Sequence, residues 1–155
     1  MSNPDKLTLA PISTISGNVI LPGSKSLSNR ILLLSMLAEG QTEIQNLLDS
    51  DDIRRMVEAL GMLGIELEEN RAENSITVSG TAGKIPVAEA RLMLGNAGTA
   101  IRPLTAAMTL GHGRYVLDGA PRMRERPIID LVNSLSHLGA NLRCLNDTDC
   151  PPVEV

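Results

Sequence analysis

The 155-residue chain carries the same pattern twice, and this duplication constrains its fold more than any other feature. Gly23 and Gly95 lie 72 residues apart, as do Arg30 and Arg102, and Met36 and Met108. Farther on, Ile53 and Ile128, Val57 and Val132, Leu60 and Leu135, and Gly64 and Gly139 each lie 75 apart. The slip of three falls between the paired helices, where loops absorb insertions. The period is too long for a common solenoid and marks a repeat on the scale of a domain. It predicts two copies of a unit of strand, helix, strand, helix and hairpin, at about residues 21–80 and 87–155. The fold class is therefore α/β with mixed sheets, an α+β arrangement of repeated units.

Within the first copy, strands are expected over residues 7–12 and 17–21, ending at the Pro22-Gly23 break. A helix over 26–38 is apolar nearly all round, so deep burial is expected, with Gly40 near its end. A strand over 42–47 leads to Asp49, Asp51 and Asp52, acids suited to the first turn of a second helix. In that helix Ile53, Met56, Val57, Leu60 and Leu63 make one stripe at helical spacing, and Gly64 stops it. A hairpin follows over 65–69 and 75–79. The second copy opens with a stretch, 87–94, that fits strand or helix equally. A helix from about Gly95 to Leu110, a strand over 113–117 and a loop over 119–127 come next. A second stripe, Ile128, Leu131, Val132, Leu135 and Leu138, then ends at Gly139 before a closing hairpin over 141–145 and 153–155.

Composition narrows the function classes. The chain has one Tyr and neither Phe nor Trp, so Leu, Ile, Val, Met and Ala must build the core. Without stacking aromatics, and with a net charge of −4, nucleic-acid binding is disfavoured and any anion site must be local. No apolar run approaches the roughly 18 residues needed to cross a bilayer. The N-terminal residues lack the basic and apolar pattern of a signal peptide. A cytoplasmic protein is expected, with no membrane partner. Cys144 and Cys150, six apart, match no metal or redox spacing, and reduced thiols are expected, with a disulfide between them the minor alternative. His112 and His137 have no partner cluster, and no metal site is expected.

Two features carry chemistry. Both copies begin a helix with small polar residues: Gly23-Ser24-Lys25-Ser26 in one, Gly95-Asn96-Ala97-Gly98-Thr99 in the other. Each has an Arg seven residues past its first glycine. Unsatisfied N–H groups and the positive end of the dipole make a helix start an anion site, and Lys25 adds a cation. A serine-capped helix with two solvated basic residues explains the first stretch equally well. The Walker phosphate loop does not fit, because Ser24 precedes Lys25 and Val19 holds its outer glycine position. The second feature is Arg122, Arg124 and Arg126 on a loop held between Pro121 and Pro127. Clustered guanidinium groups suit carboxylate or phosphate, although a solvated basic loop has the same composition.

Four motifs, LPGSKSLSNR, NLLDSDDIRRM, LGNAGTAIRPL and PRMRERPI, resemble those of the 5-enolpyruvylshikimate-3-phosphate synthases in order and separation. The likeness runs from about residue 7 to residue 155. The related UDP-N-acetylglucosamine enolpyruvyl transferases share the fold but lack the first and last wordings. The resemblance implies the enolpyruvyl transferase fold, two lobes each of three βαβαββ-type units, with two units visible here and a third absent. Residues 1–20 would be strands of the lobe that the missing C-terminal part completes. It also implies carboxyvinyl transfer from phosphoenolpyruvate to shikimate 3-phosphate, in aromatic amino acid biosynthesis, with no cofactor.

By similarity, Lys25, Ser26 and Arg30 bind shikimate 3-phosphate. Lys25, Gly98 and Arg126 bind phosphoenolpyruvate. Asn96, Thr99, Arg102 and Arg124 are supporting residues, and Asp52 is a minor candidate for a substrate hydroxyl. Gly98, Thr99 and Pro103 would set sensitivity to the herbicide glyphosate, and Ile101 replaces a common Met at similar volume. The family's acid and base groups are expected beyond Val155, so no catalytic residue is assigned in this chain. The expected partner is the remaining C-terminal part, and the chain alone is expected to be inactive. The alternative is a fragment that binds an anionic substrate weakly without turnover.

Overall fold

The computed structural model describes residues 6–155. From Lys25 onward, helix and strand alternate: α1 (Lys25–Leu37), β1 (Glu39–Ile44), α2 (Asp51–Met62), β2 (Leu67–Asn70) and β3 (Ser75–Thr81). The second half repeats the series as β4 (Glu89–Met93), α3 (Gly98–Met108), β5 (Arg114–Asp118), α4 (Ile129–His137), β6 (Arg143–Cys144) and β7 (Val153–Glu154), with a 3₁₀ turn over Met123–Glu125. The first half forms an antiparallel sheet of order β1-β3-β2. The second forms a sheet of order β4-β5-β7-β6, in which β4 and β5 run parallel and the other pairs antiparallel. A parallel pair needs a long crossover, and α3 supplies it. The ambiguous stretch is thus strand: Leu92 is buried between exposed Arg91 and Met93, the period of two that a strand produces.

The two predicted stop glycines close their helices in the same way. Gly64 and Gly139 sit at φ +81° and +95°, a conformation that costs glycine nothing. At α2, Gly64 N–H donates to Gly61 O and Ile65 N–H to Leu60 O. At α4, Gly139 N–H donates to Ser136 O and Ala140 N–H to Leu135 O. Each is a Schellman closure that satisfies two terminal carbonyls. Gly40, expected near the end of α1, lies inside β1 instead. That helix ends at Leu37, because Ala38 turns extended and its N–H takes Leu34 O.

One core joins the halves. Leu32 and Met36 of α1, Met56, Leu60 and Leu63 of α2, and Ile101, Leu104 and Met108 of α3 are buried together with Ile76, Val78, Leu92, Tyr115 and Leu117 of the sheets. At about 1.5–3 kcal/mol for each large apolar side chain removed from water, this shared layer holds α1, α2 and α3 in fixed relation. A smaller cluster of Ile128, Val132, Leu142 and Val153 seats α4 on β6 and β7.

Three expectations fail. Residues 6–24 form no strand; they run exposed along the surface, with Ile20 95% accessible. Residues 17–21 stand 72 positions ahead of β4, yet β1 is an edge strand with nothing described alongside it. A strand without a partner leaves its backbone groups to water, so the segment stays irregular. The part of that expectation covering residues 1–5 lies outside the described residues. Helix α1 is not buried all round, since Leu27 and Leu34 are exposed on a face that no described element covers. Leu138, the last member of the α4 stripe, is 84% exposed because α4 packs only against the short β6–β7 pair.

Candidate anion-binding site

The starts of α1, α2 and α3 converge, and the arginine loop closes over them. An open cleft of about 650 Å³ is lined by Lys25, Asp52, Asn96, Gly98, Thr99 and Ile101, and by Arg102, Met123, Arg126, Pro127, Ile128 and Pro151. Ser24 caps α1 as its sequence predicts, its hydroxyl accepting the Leu27 N–H at 3.4 Å. Serine capping does not preclude an anion at this helix start, because the cap uses one of several free N–H groups. Ala97 begins α3 with no side-chain cap, which leaves that helix start to backbone and solvent.

A chain of polar contacts ties the three helix starts together. Lys25 Nζ lies 3.3 Å from Asp52 Oδ2. The Thr99 hydroxyl donates to the same oxygen at 3.4 Å, and Asn29 Nδ2 donates to Thr99 Oγ1 at 2.8 Å. The neighbouring acid Asp51 instead pairs with Arg55 on its own helix, at 3.7 Å. Helical periodicity separates the two acids: one lies along its own helix toward Arg55 and the next turns across to Lys25.

The cleft is cationic although the chain is not. Its lining holds three cations, Lys25, Arg102 and Arg126, against one carboxylate, Asp52. Arg102 Nη2 donates to Pro127 O at 2.6 Å, and Arg126 Nη1 donates to Asn96 O at 3.3 Å. Neither guanidinium has a carboxylate partner among the described residues, so both keep their charge available to a ligand. Gly98 faces Arg126 closely: a Cβ there would stand 3.1 Å from Arg126 Nη1.

Seven of the residues named from sequence line this cleft: Lys25, Asp52, Asn96, Gly98, Thr99, Arg102 and Arg126. Ser26 and Arg30 do not line it; Ser26 is half-buried in the first turn of α1 and Arg30 is exposed. Arg124 points elsewhere. Its Nε and Nη2 grip the two oxygens of Asp118 at 2.9 and 2.6 Å, and Arg91 approaches the same carboxylate at 3.5 Å. Asp118 is fully buried, and burial pushes its carboxyl up. The hydrogen bonds from Arg124 and Gly119 N–H, with the charges of Arg124 and Arg91, outweigh this and hold it below the usual carboxylate range. This fork fixes the loop that presents Arg126 two residues later.

Sequence reasoning passed over Asp118 and Asn29. Each has a signal in hindsight, a charged residue ending a strand and a polar residue on the inner face of an apolar helix, but only packing shows what they meet. Among the described residues, no group of three His, Cys, Asp or Glu is placed to hold a metal. Cys144 and Cys150 are free, and burial, helped by the negative charge of Asp149, pushes the Cys144 thiol up, away from the reactive thiolate. No helix of the described residues is long and apolar enough to cross a membrane.

A doubled α/β unit gathers helix starts and guanidinium groups without carboxylate partners among the described residues at one cleft, an arrangement whose charge suits a small anion. Comparison with known proteins makes the class specific. The family model of EPSP synthase (3-phosphoshikimate 1-carboxyvinyltransferase) matches residues 9–155. The chloroplastic 3-phosphoshikimate 1-carboxyvinyltransferase 1 of Nicotiana tabacum is 55% identical over 159 residues, covering 98% of this chain and 31% of the relative. The enzyme of Ralstonia pickettii is 50% identical over 151 residues, covering 97% and 35%. Among solved structures, EPSP synthase from Acinetobacter baumannii superposes with a TM-score of 0.81 at 25% identity, over 90% of this chain and 32% of that one. The chain belongs to the EPSP synthase family and has its enolpyruvyl transferase fold. It spans about a third of the length of the relatives it matches.

Proposed function

We propose that this chain supplies part of the substrate site for carboxyvinyl transfer from phosphoenolpyruvate to shikimate 3-phosphate, in the shikimate pathway. The observation that carries the reading is the cleft itself, where Lys25, Arg102 and Arg126 and the starts of α1 and α3 face one space. Both substrates are polyanions, and bringing them together demands cations that offset their repulsion. Lys25 stands between the two, with Ser26 and Arg30 on the shikimate 3-phosphate side. Gly98 and Arg126 take phosphoenolpyruvate, and Asn96, Thr99 and Arg102 support them. Arg124 acts at one remove, through its grip on Asp118.

In the reaction, a shikimate hydroxyl gives up its proton and its oxygen bonds to C2 of phosphoenolpyruvate while C3 takes a proton. The resulting tetrahedral intermediate then loses phosphate and a C3 proton to give 5-enolpyruvylshikimate 3-phosphate. Helix starts and guanidinium groups stabilise the charge on that intermediate. Asp52, the one carboxylate of the cleft, is engaged by Lys25 and Thr99, so we assign the proton transfers to groups outside this chain. The segment ahead of residue 21 and the exposed face of α1 are assigned to contacts with the rest of the enzyme, which includes a third unit.

The test is titration of the 15N-labelled 155-residue chain with each substrate, alongside a phosphate-release assay. Amide shifts at Lys25, Ser26, Arg30, Gly98 and Arg126 without phosphate release are expected. Absence of shifts at these positions refutes the binding assignment, and release by the chain alone refutes the need for outside groups.

A further inference from the structure

Asn29 lies in the middle of α1, between the apolar residues of the core, and is 1% exposed. A buried primary amide is costly unless both its ends are bonded. Here one end is not: Nδ2 donates to Thr99 Oγ1 at 2.8 Å, while Oδ1 is buried with no donor among the described residues. A pure packing role would be met better by an apolar side chain such as Leu, which has the same branched shape and no polar atom to desolvate.

The direction of the hydrogen bonds explains what the amide does. Asp52 Oδ2 is already paired with Lys25, and an ionised carboxylate only accepts. Thr99 must therefore turn its hydroxyl proton toward Asp52, at 3.4 Å. That leaves Thr99 Oγ1 free only to accept, and the buried donor that meets it is Asn29 Nδ2. Asn29 thus sets the sense of the relay from inside the core.

We propose that Asn29 is a positioning residue for the anion site, acting through Thr99 and Asp52 on Lys25. The amide locks the Thr99 rotor, Thr99 holds one oxygen of Asp52, and Asp52 holds the ammonium at the mouth of the cleft. The same contact pins the start of α3, where Gly98 lies, against α1. This inference rests on the reading of the cleft as an anion site, and its test separates the two.

The experiment uses the 155-residue chain, inorganic sulfate as probe, and 1H–13C resonances of the Lys25 Cε methylene. Asn29→Leu keeps the branched shape and removes a buried unpaired amide oxygen, which offsets the cost of its bulkier methyl groups, so its melting temperature is expected to stay near that of the parent. Asn29→Asp keeps the shape and presents an acceptor where Thr99 needs a donor, which provides a second variant should the first fold poorly. Both are expected to move the Lys25 resonance in sulfate-free solution and to weaken sulfate binding roughly tenfold, the effect of losing one hydrogen bond to a charged network. Thr99→Val is expected to do the same, and adding Asn29→Leu to it should change little more. An unmoved Lys25 resonance in both Asn29 variants, or full additivity with Thr99→Val, overturns the proposal. A parent chain that binds no sulfate overturns the anion-site reading instead, and the sulfate-free Lys25 resonance still decides the role of Asn29.

Discussion

Replacing Asp118 by Asn tests how the arginine loop is held. Asp118 receives Arg124 through both oxygens, at 2.9 and 2.6 Å, the Gly119 N–H at 2.8 Å, and Arg91 at 3.5 Å. Asparagine keeps one oxygen, enough for Gly119, and turns its two N–H donors toward a guanidinium that also only donates. One arm of the fork and the charge are lost. A hydrogen bond to a charged group is worth about 1.5–3 kcal/mol. Arg124 remains 48% exposed and recovers water, so the expected loss stays inside that range, at about 2 kcal/mol.

For a chain of this length such a loss lowers the melting temperature by roughly 4–8 °C. The pH dependence has a definite sign. The folded carboxyl is held below its ordinary value, so its stabilisation is complete above about pH 4 and fades as pH falls through the lower folded value. Glu154, bonded by Arg114 and Arg143, is also held low and fades in the same direction, so the variant keeps part of the acid slope but not all of it. Urea unfolding followed by the fluorescence of Tyr115, the sole aromatic residue and itself buried, reads both quantities. Equal midpoints at pH 7, or an acid slope identical to the parent's, would refute the reasoning. Loosening the fork should also broaden the amide signal of Arg126, two residues along the same loop.

Gly98→Ala should leave stability unchanged or raise it by up to ~1 kcal/mol, since alanine suits the first turn of a helix better than glycine. Its Cβ would crowd Arg126 Nη1 at 3.1 Å, and phosphoenolpyruvate affinity, measured by titration calorimetry, is expected to fall about tenfold or more. Gly119→Ala behaves in the opposite sense. Its Cβ would run into the Gly95 carbonyl oxygen and the Met123 side chain, and backbone cannot yield as a flexible side chain does. A loss of about 2 kcal/mol or more in urea unfolding is expected, in the range of core overpacking.

Apart from β4, whose stretch fits strand or helix equally, the order of elements from α1 to β7 was legible in the sequence because it rests on local signals. Apolar residues three and four apart bury one face of α2, and a glycine at the left-handed position ends α2 and α4 alike. Duplication added a second, independent copy of each signal, so Gly98 and Arg102 could be set beside Gly23 and Arg30 without coordinates. Motif wording then named the family and most of the cleft lining.

Tertiary structure alone decided what faces what. Residues 17–21 have a strand's composition, but a strand exists only where it pairs with another, and among the described residues they pair with none, although the outer edge of β1 is free. Three arginines share one loop, yet only Arg126 faces the cleft; Arg124 is spent on Asp118, the buried last residue of β5. Asp51 and Asp52 are chemically alike, and a turn of about 100° along a helix gives one to Arg55 and the other to Lys25. Asn29 reads as one more helix residue until α3 is packed against α1, 70 positions away in sequence. Local pattern determines the elements, because hydrogen bonds and periodicity act over a few residues. The charge of the cleft depends on which partners each cation finds, and packing brings those partners from well away along the chain.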